Sequence, residues 1–174
     1  MAIQLTADDA KQSLIAHVET KGIEIYGKYG PQLGWAELQR LLLDRAYVRY
    51  PVEIVFDAAQ LLPGEFAQPV QKGERPEDGF TMAVHPLFMT QFDVVPALVL
   101  YQLVAVNYGQ FASCEEAESF GAAALGLTRD EYYGLLCDAA DQLGTGLDPE
   151  LMRGEREHAH SGGGCGGGGC SCGG

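Results

Sequence analysis

The run Val94–Val106 (VVPALVLYQLVAV) constrains the fold more than any other part of the chain. It is thirteen residues long, whereas a helix that crosses a membrane needs about twenty apolar residues. Extended to Tyr108, the segment is apolar on every side of a helical projection, which is typical of a helix buried on all its faces. We therefore predict a central, buried helix over Val94–Tyr108.

Periodic apolar positions and capping signals predict further helices around this one. A Ser or Thr followed three residues later by an acidic side chain satisfies free amides at a helix N-terminus and suits its positive end. The predicted helices run from a cap at Thr6 to about Thr20, over Trp35–Asp44, from a capping box at Ser113 to about Leu125, and from a second box at Thr128 to about Leu143.

Two short segments alternate between apolar and polar residues and are predicted strands. They are Pro51–Asp57 and Phe80–Val84, which we expect to pair antiparallel, with a possible third strand around Gly22–Tyr26. The intervening Leu62–Gly79 holds three Pro, three Gly and several charges, and is predicted to be a loop.

The fold class that follows is α+β, a mostly helical single domain with a small antiparallel sheet of two or three strands. Composition changes sharply near residue 144. We predict a compact domain over residues 1–147, followed over 148–174 by a flexible linker and a His/Cys/Gly-rich tail. Its last segment, Ser161–Gly174, contains nine Gly, three Cys and two Ser. It offers no apolar side chain to bury and is expected to be disordered.

The charge balance excludes several classes of partner. The chain has 24 Asp and Glu against 11 Lys and Arg, a formal net charge of −13. Nucleic acids and anionic membranes bind through Lys and Arg, so neither is an expected partner. The N-terminal ten residues lack the basic and apolar pattern of a secretory signal. Three of the five cysteines fall in the last ten residues, which fits a reducing compartment better than a disulfide framework. The predicted location is cytoplasmic.

The tail combines ligands that transition metals prefer. His158 and His160 precede Cys165, and Cys170 and Cys172 follow. Imidazole and thiolate select zinc, copper(I) or nickel, and the glycines between them permit the turns that ligation requires. The Cys-x₄-Cys-x-Cys spacing differs from the Cys-x₂₋₄-Cys pairs of structural zinc sites, but Cys-x-Cys can hold one ion with both sulfurs. We predict a soluble metal carrier, buffer or sensor, with a protein partner for metal transfer.

The same residues support a second hypothesis. A Gly-rich run broken by Cys and Ser resembles the cores of thiazole-bearing microcins, in which an enzyme cyclises Cys and Ser onto preceding glycines. That resemblance implies a long, folded leader or carrier domain whose partner is the enzyme that modifies the tail. Cys170-Ser-Cys172 also resembles the end of the Cys-x-x-Cys-Ser-Cys motif of nitrile hydratases, which implies cobalt or iron, although the first cysteine is displaced here.

A third hypothesis is an enzyme with a cleft near His85, which ends the second predicted strand. Asp57 and Asp93 are the acidic residues that could join it. The order of strand, buried helix and acidic segment Glu115–Leu125 is similar to that of small zinc metallopeptidases, whose helix carries His-Glu-x-x-His. The corresponding residues 101–105 (YQLVA) contain neither His nor Glu, so the resemblance implies no such chemistry here.

Four polar groups on the buried helix need partners, because buried polar groups are almost always hydrogen-bonded. They are Tyr101, Gln102, Asn107 and Tyr108, which we expect to form core hydrogen bonds rather than to line a cavity. Cys114 follows a helix cap, where the helix dipole can lower a thiol pKa, and Cys137 is predicted to be a small core residue.

Overall fold

The structure is a computed structural model that describes the backbone of residues 7–144 and the side chains of residues 10–144. This part contains five α-helices, three β-strands and three short 3₁₀ turns. The helices are α1 (Ala7–Tyr29), α2 (Trp35–Leu42), α3 (Val95–Tyr108), α4 (Cys114–Leu125) and α5 (Arg129–Gly144); the strands are β1 (Val52–Phe56), β2 (Ala67–Gln71) and β3 (Phe80–Val84). The predicted α+β class is confirmed.

The sheet is mixed, in the order β1-β3-β2. Strand β1 pairs with β3 in parallel, with Val52 opposite Phe80, and β2 pairs with β3 antiparallel. The predicted antiparallel pairing of the first and last strands is therefore wrong, as is the prediction of a loop throughout Leu62–Gly79. The hairpin of β2 and β3 occupies one edge of β3, so β1 pairs with the other edge, where it runs parallel to β3.

Helix α1 is longer than predicted and continues to Tyr29. The prediction of a possible third strand around Gly22–Tyr26 is therefore wrong, although the sheet does have three strands. The reason is the packing of α1 along α4: a Cβ at Gly22 would lie 2.6 Å from Ala123 Cβ and 2.7 Å from the Phe120 carbonyl oxygen. Contact this close requires glycine, and it keeps the β-branched segment helical against its local preference.

Helix α3 occupies the centre of the molecule, as predicted. Eleven of its fourteen residues are buried, since the sheet packs on one side of it and α4 on another. Helix α4 in turn packs against α1 and α5. The two predicted capping boxes are present: Glu116 accepts from the backbone N–H of Ser113 at 2.8 Å, and Glu131 accepts from that of Thr128 at 2.8 Å.

Within the described residues, no helix is both long enough and apolar enough to span a membrane.

Candidate functional site

The five predicted metal ligands all lie outside the described residues. These are His158, His160, Cys165, Cys170 and Cys172. Over the side chains of residues 10–144, no group of three or more His, Cys, Asp and Glu is arranged to hold a metal ion. The proposed division between a 1–147 domain and a 148–174 tail likewise stays a prediction.

His85 has a local structural role. Its Nδ1 accepts a hydrogen bond from the Leu87 backbone N–H at 3.2 Å and so caps the 3₁₀ turn Pro86–Thr90. Asp57 accepts from the N–H of Ala59 at 2.9 Å, as in an Asx turn. In the described part of the structure, Asp93 forms no hydrogen bond or ion pair with either of them. The enzyme hypothesis built on His85, Asp57 and Asp93 gains no geometric support, and it stays a prediction.

Two cysteines lie among the described residues, and both are free thiols that are half-buried. Cys114 is the first residue of α4, immediately after its cap Ser113, as predicted. Cys137 lies on α5 and is less buried than a core residue would be. Because both precede residue 148 in the sequence, they provide a matched control for experiments on Cys165, Cys170 and Cys172.

The polar residues of α3 divide between core and cavity. Tyr101 is 6% exposed, and its ring meets that of Phe66 edge-on at 5.9 Å between centroids. Asn107 is 7% exposed and forms the core hydrogen bonds that were predicted, whereas Tyr108 is half-buried and lines two cavities. Residues 101–105, which correspond to the metallopeptidase motif, mostly pack into the core.

A network of hydrogen bonds holds the segment from Asp44 to Arg49, which connects α2 to β1. At its start, the carboxylate of Asp44 accepts hydrogen bonds from Lys28 Nζ at 2.6 Å and Tyr29 OH at 2.8 Å, and from the Ala46 backbone N–H at 3.0 Å. Three donors converge on one carboxylate. These bonds fasten the segment to the end of α1.

The bonds to Lys28 and Tyr29 and to the Ala46 backbone lower the pKa of Asp44 to about 2, from an ordinary 3.8. We expect Asp44→Asn to lower the free energy of unfolding at neutral pH by roughly 1–2 kcal/mol, since Lys28 is half-exposed and solvent screens its charge. A carboxylate whose pKa is lower in the folded state stabilises above about pH 4, and the benefit disappears as the pH falls towards about 2. Urea unfolding of both proteins across this range measures the difference.

The control for Asp44 is Glu53→Gln, which removes a carboxylate from an exposed pair with Lys72. It should change stability less than Asp44→Asn does, because exposed ion pairs contribute little. If the Asp44→Asn difference stays constant from neutral pH down to about pH 2.5, the proposed linkage is wrong.

At its other end, the segment is held by Asn107 of α3. The side-chain amide donates to the Tyr47 carbonyl oxygen at 2.7 Å and accepts from the Arg49 backbone N–H at 2.9 Å. One side-chain amide thus satisfies a backbone acceptor through its nitrogen and a backbone donor through its oxygen. Anchored by Asp44 and Asn107, the segment presents Arg45, Tyr47 and Arg49 on a fixed backbone.

A cavity of about 280 Å³ lies between this segment, α1 and α3. In the described part of the chain, its charged lining is basic: Lys21, Arg45 and Arg49, with His17 beside them and no Asp or Glu. Among the described residues, neither Arg45 nor Arg49 has a carboxylate partner, while Lys21 pairs with Glu24 at 2.8 Å. A basic cavity without acidic residues is unexpected in a chain with more than twice as many acidic as basic residues.

The positive charges in this cavity affect the pKa of the Tyr108 hydroxyl. Burial raises its pKa, and the nearby charges of Lys21 and Arg49 act in the opposite direction by stabilising a phenolate. Its ring also meets that of His17 edge-on at 5.8 Å between centroids. Two cations on different elements therefore act on the same hydroxyl.

A second cavity, of about 590 Å³, adjoins the first and shares Arg49, Asn107 and Tyr108 with it. The rest of its lining is mostly apolar, including Leu14, Phe80 and Phe111, and the part of the chain that the structure describes contributes no Asp or Glu to it. The two cavities are separate pockets that share three lining residues, one with a basic lining and the other with a mostly apolar lining.

Sequence reasoning missed this arrangement. One signal was available: residues 45–52 (RAYVRYPV) carry two arginines and no acidic residue, which is unusual in this chain. The contributions of His17, Lys21 and Tyr108 could not be found locally, because they come from helices far away in the sequence.

Comparison of the chain with protein-family models, with curated proteins and with solved structures found no match.

Proposed function

We propose that the protein handles a thiophilic or borderline transition metal ion, namely zinc, copper or nickel, through its C-terminal residues, as a carrier, buffer or sensor. One observation carries this proposal: five imidazole and thiol donors lie within fifteen residues and are separated mainly by glycine. Cysteine sulfur and histidine nitrogen together form most tetrahedral zinc sites, and thiolates also select copper(I).

The donors divide by their expected roles. The strongest ligands are the thiolates of Cys165, Cys170 and Cys172, because a thiolate carries a negative charge and also donates an electron pair to the metal ion. His158 and His160 complete the coordination. Metal binding must displace protons from the thiols, so affinity should fall as the pH is lowered. Glu150, Glu155 and Glu157 lie nearby in the sequence and raise the local concentration of cations.

The test is native mass spectrometry with elemental analysis of the full chain, purified without oxygen. We expect stoichiometric metal on the unaltered protein and none on the variant with Cys165, Cys170 and Cys172 changed to serine, since serine hydroxyls bind these ions poorly. The control changes Cys114 and Cys137 to serine and should retain the metal. Stoichiometric metal on the tail variant would refute the proposal.

A second candidate is a folded carrier domain whose tail is a substrate for a modifying partner enzyme. The observation that favours it is that Cys165 and Cys170 each directly follow glycine, the arrangement that cyclisation onto a glycine carbonyl needs. Each cyclised and oxidised residue would lose one water and two hydrogens. The intact mass of protein from its native host separates the candidates: a tail with such losses supports modification, and an unaltered mass with bound metal supports metal handling.

A further inference from the structure

We propose that the two adjoining cavities bind a small phosphate monoester, with the phosphate in the basic cavity and an apolar substituent in the larger one. The site is independent of the tail and of the proposed metal function. The basic cavity is lined by Lys21, Arg45 and Arg49, and the apolar cavity adjoins it through Arg49, Asn107 and Tyr108.

The charges favour a phosphate monoester over a carboxylate. A monoester carries between one and two negative charges near neutral pH and presents several acceptor oxygens. Arginine guanidinium groups match such oxygens with paired N–H donors. Two arginines that have no carboxylate partner among the described residues therefore already exceed what a single carboxylate requires, and Lys21 adds less because it is paired with Glu24. Of the acidic residues nearby, Glu24 is paired with Lys21 and Asp44 with Lys28, so neither pairs with the two arginines.

The backbone that carries both arginines is held before any ligand arrives. Asp44 receives three hydrogen bonds at one end of the segment, and Asn107 satisfies two backbone groups at the other. A fixed backbone lowers the entropy cost of binding, because only the arginine side chains then have to be ordered. Arg45 and Arg49 are themselves exposed side chains, so the held backbone, and not burial, distinguishes this pair from other surface arginines.

The larger cavity accounts for the apolar part of the ligand. Its volume of about 590 Å³ lies within the usual range for small-molecule sites. Leu14, Phe80 and Phe111 supply apolar surface there, and Phe111 is 76% exposed, so a bound apolar group would shield its ring from water. Arg49 lies on the boundary between the two cavities and is expected to contact the phosphate.

The net charge of −13 does not prevent binding of an anion here. At physiological ionic strength the Debye length is about 8 Å, so distant carboxylates are largely screened from the cavity. The cations that line the cavity would be in direct contact with the phosphate and would not be screened in the same way. Local charge therefore outweighs the charge of the whole chain.

The test is calorimetric titration of the full chain with phenyl phosphate at physiological salt, beside inorganic phosphate, benzoate and phenol. We expect phenyl phosphate to bind with a sub-millimolar Kd and the other three to bind at least several-fold more weakly, since each lacks the apolar group or the full charge. Arg49→Ala should weaken phenyl phosphate binding at least about tenfold, and Arg45→Ala should weaken it several-fold.

The matched control is Arg40→Ala, which removes the same charge from α2, outside both cavities, and should leave the affinity unchanged. Folding of each variant is checked by thermal melting; Arg49→Ala retains the backbone N–H that Asn107 accepts from. The chemical shift of the Asn107 side-chain amide should move on addition of phenyl phosphate. No binding at millimolar concentration, or equal affinity in Arg49→Ala and the unaltered protein, overturns the proposal.

Discussion

Changing Gly121 to alanine should destabilise the folded protein by roughly 2–4 kcal/mol. A Cβ at this position on α4 would approach the ring and hydroxyl of Tyr132 to less than 3.0 Å, closer than real Cβ atoms come. Tyr132 is fully buried on α5, and its hydroxyl donates to the Ala97 carbonyl oxygen of α3 at 2.6 Å. The ring cannot retreat without breaking that bond, so overpacking and an unsatisfied buried group act together.

Thermal melting measures the effect, and the expected drop in Tm is roughly 5–15 °C for a chain of this size. Gly134→Ala is the matched control, because at that position on α5 the added Cβ would meet no atom within 4 Å beyond its chain neighbours and the nearby backbone of its own helix. Alanine there should stabilise by about 0.5–1 kcal/mol through its better helix propensity. The two glycine-to-alanine changes should therefore have opposite signs.

A double-mutant cycle identifies the cause of the Gly121→Ala effect. In a Tyr132→Leu background the aromatic ring is absent, so the penalty for Gly121→Ala should shrink by more than about 1 kcal/mol. An unchanged penalty would show that the ring of Tyr132 is not what excludes the Cβ.

Local sequence signals were sufficient for elements whose pattern and environment agree. Helix α3 is apolar on all sides and is buried on nearly all sides. Helix α4 begins after the Ser113 capping box and ends at Leu125 before Gly126, whose φ of 69° suits glycine. In these cases the residues that determine the structure are adjacent in the sequence.

The elements that were missed depend on distant residues. Strand β2 contains Pro69, which removes a backbone donor, and it is tolerated because β2 is an edge strand of the sheet. That edge position is known only once β3 is placed. The extension of α1 through Gly22 likewise requires α4 as its neighbour, since α4 leaves no room for a Cβ there.

The same distinction holds for the candidate sites. The tail ligands were found because they are close in the sequence. The basic cavity was not found, because its lysine and histidine come from α1, its arginines and Tyr47 from the segment before β1, and Tyr108 from α3. Only the acid-free stretch over residues 45–52 indicated this cavity. A charge bias of this kind predicts a binding site only when the fold shows which other residues surround the two arginines.

Asn107→Ala should destabilise the protein by roughly 2–4 kcal/mol, since it leaves the Tyr47 carbonyl and the Arg49 N–H without their partner. The side chain is 7% exposed, so water reaches these groups poorly without local opening. Urea unfolding measures the loss. Gln110→Ala is the control, because that residue is exposed just beyond the end of α3, and it should change stability by less than about 0.5 kcal/mol.

The variant also links the fold to the proposed phosphate site, because Asn107 carries no charge that could attract a phosphate. Releasing the Arg49 backbone should raise the hydrogen-exchange rate of its amide and weaken phenyl phosphate binding several-fold, although Arg45 and Arg49 are both retained. If the Arg49 amide stays as protected as in the unaltered protein, the side chain of Asn107 does not hold this segment. Full phenyl phosphate affinity together with rapid exchange would show that the arginines need no fixed backbone. The pairing of slower exchange and tighter binding in the unaltered chain is what a preorganised site requires.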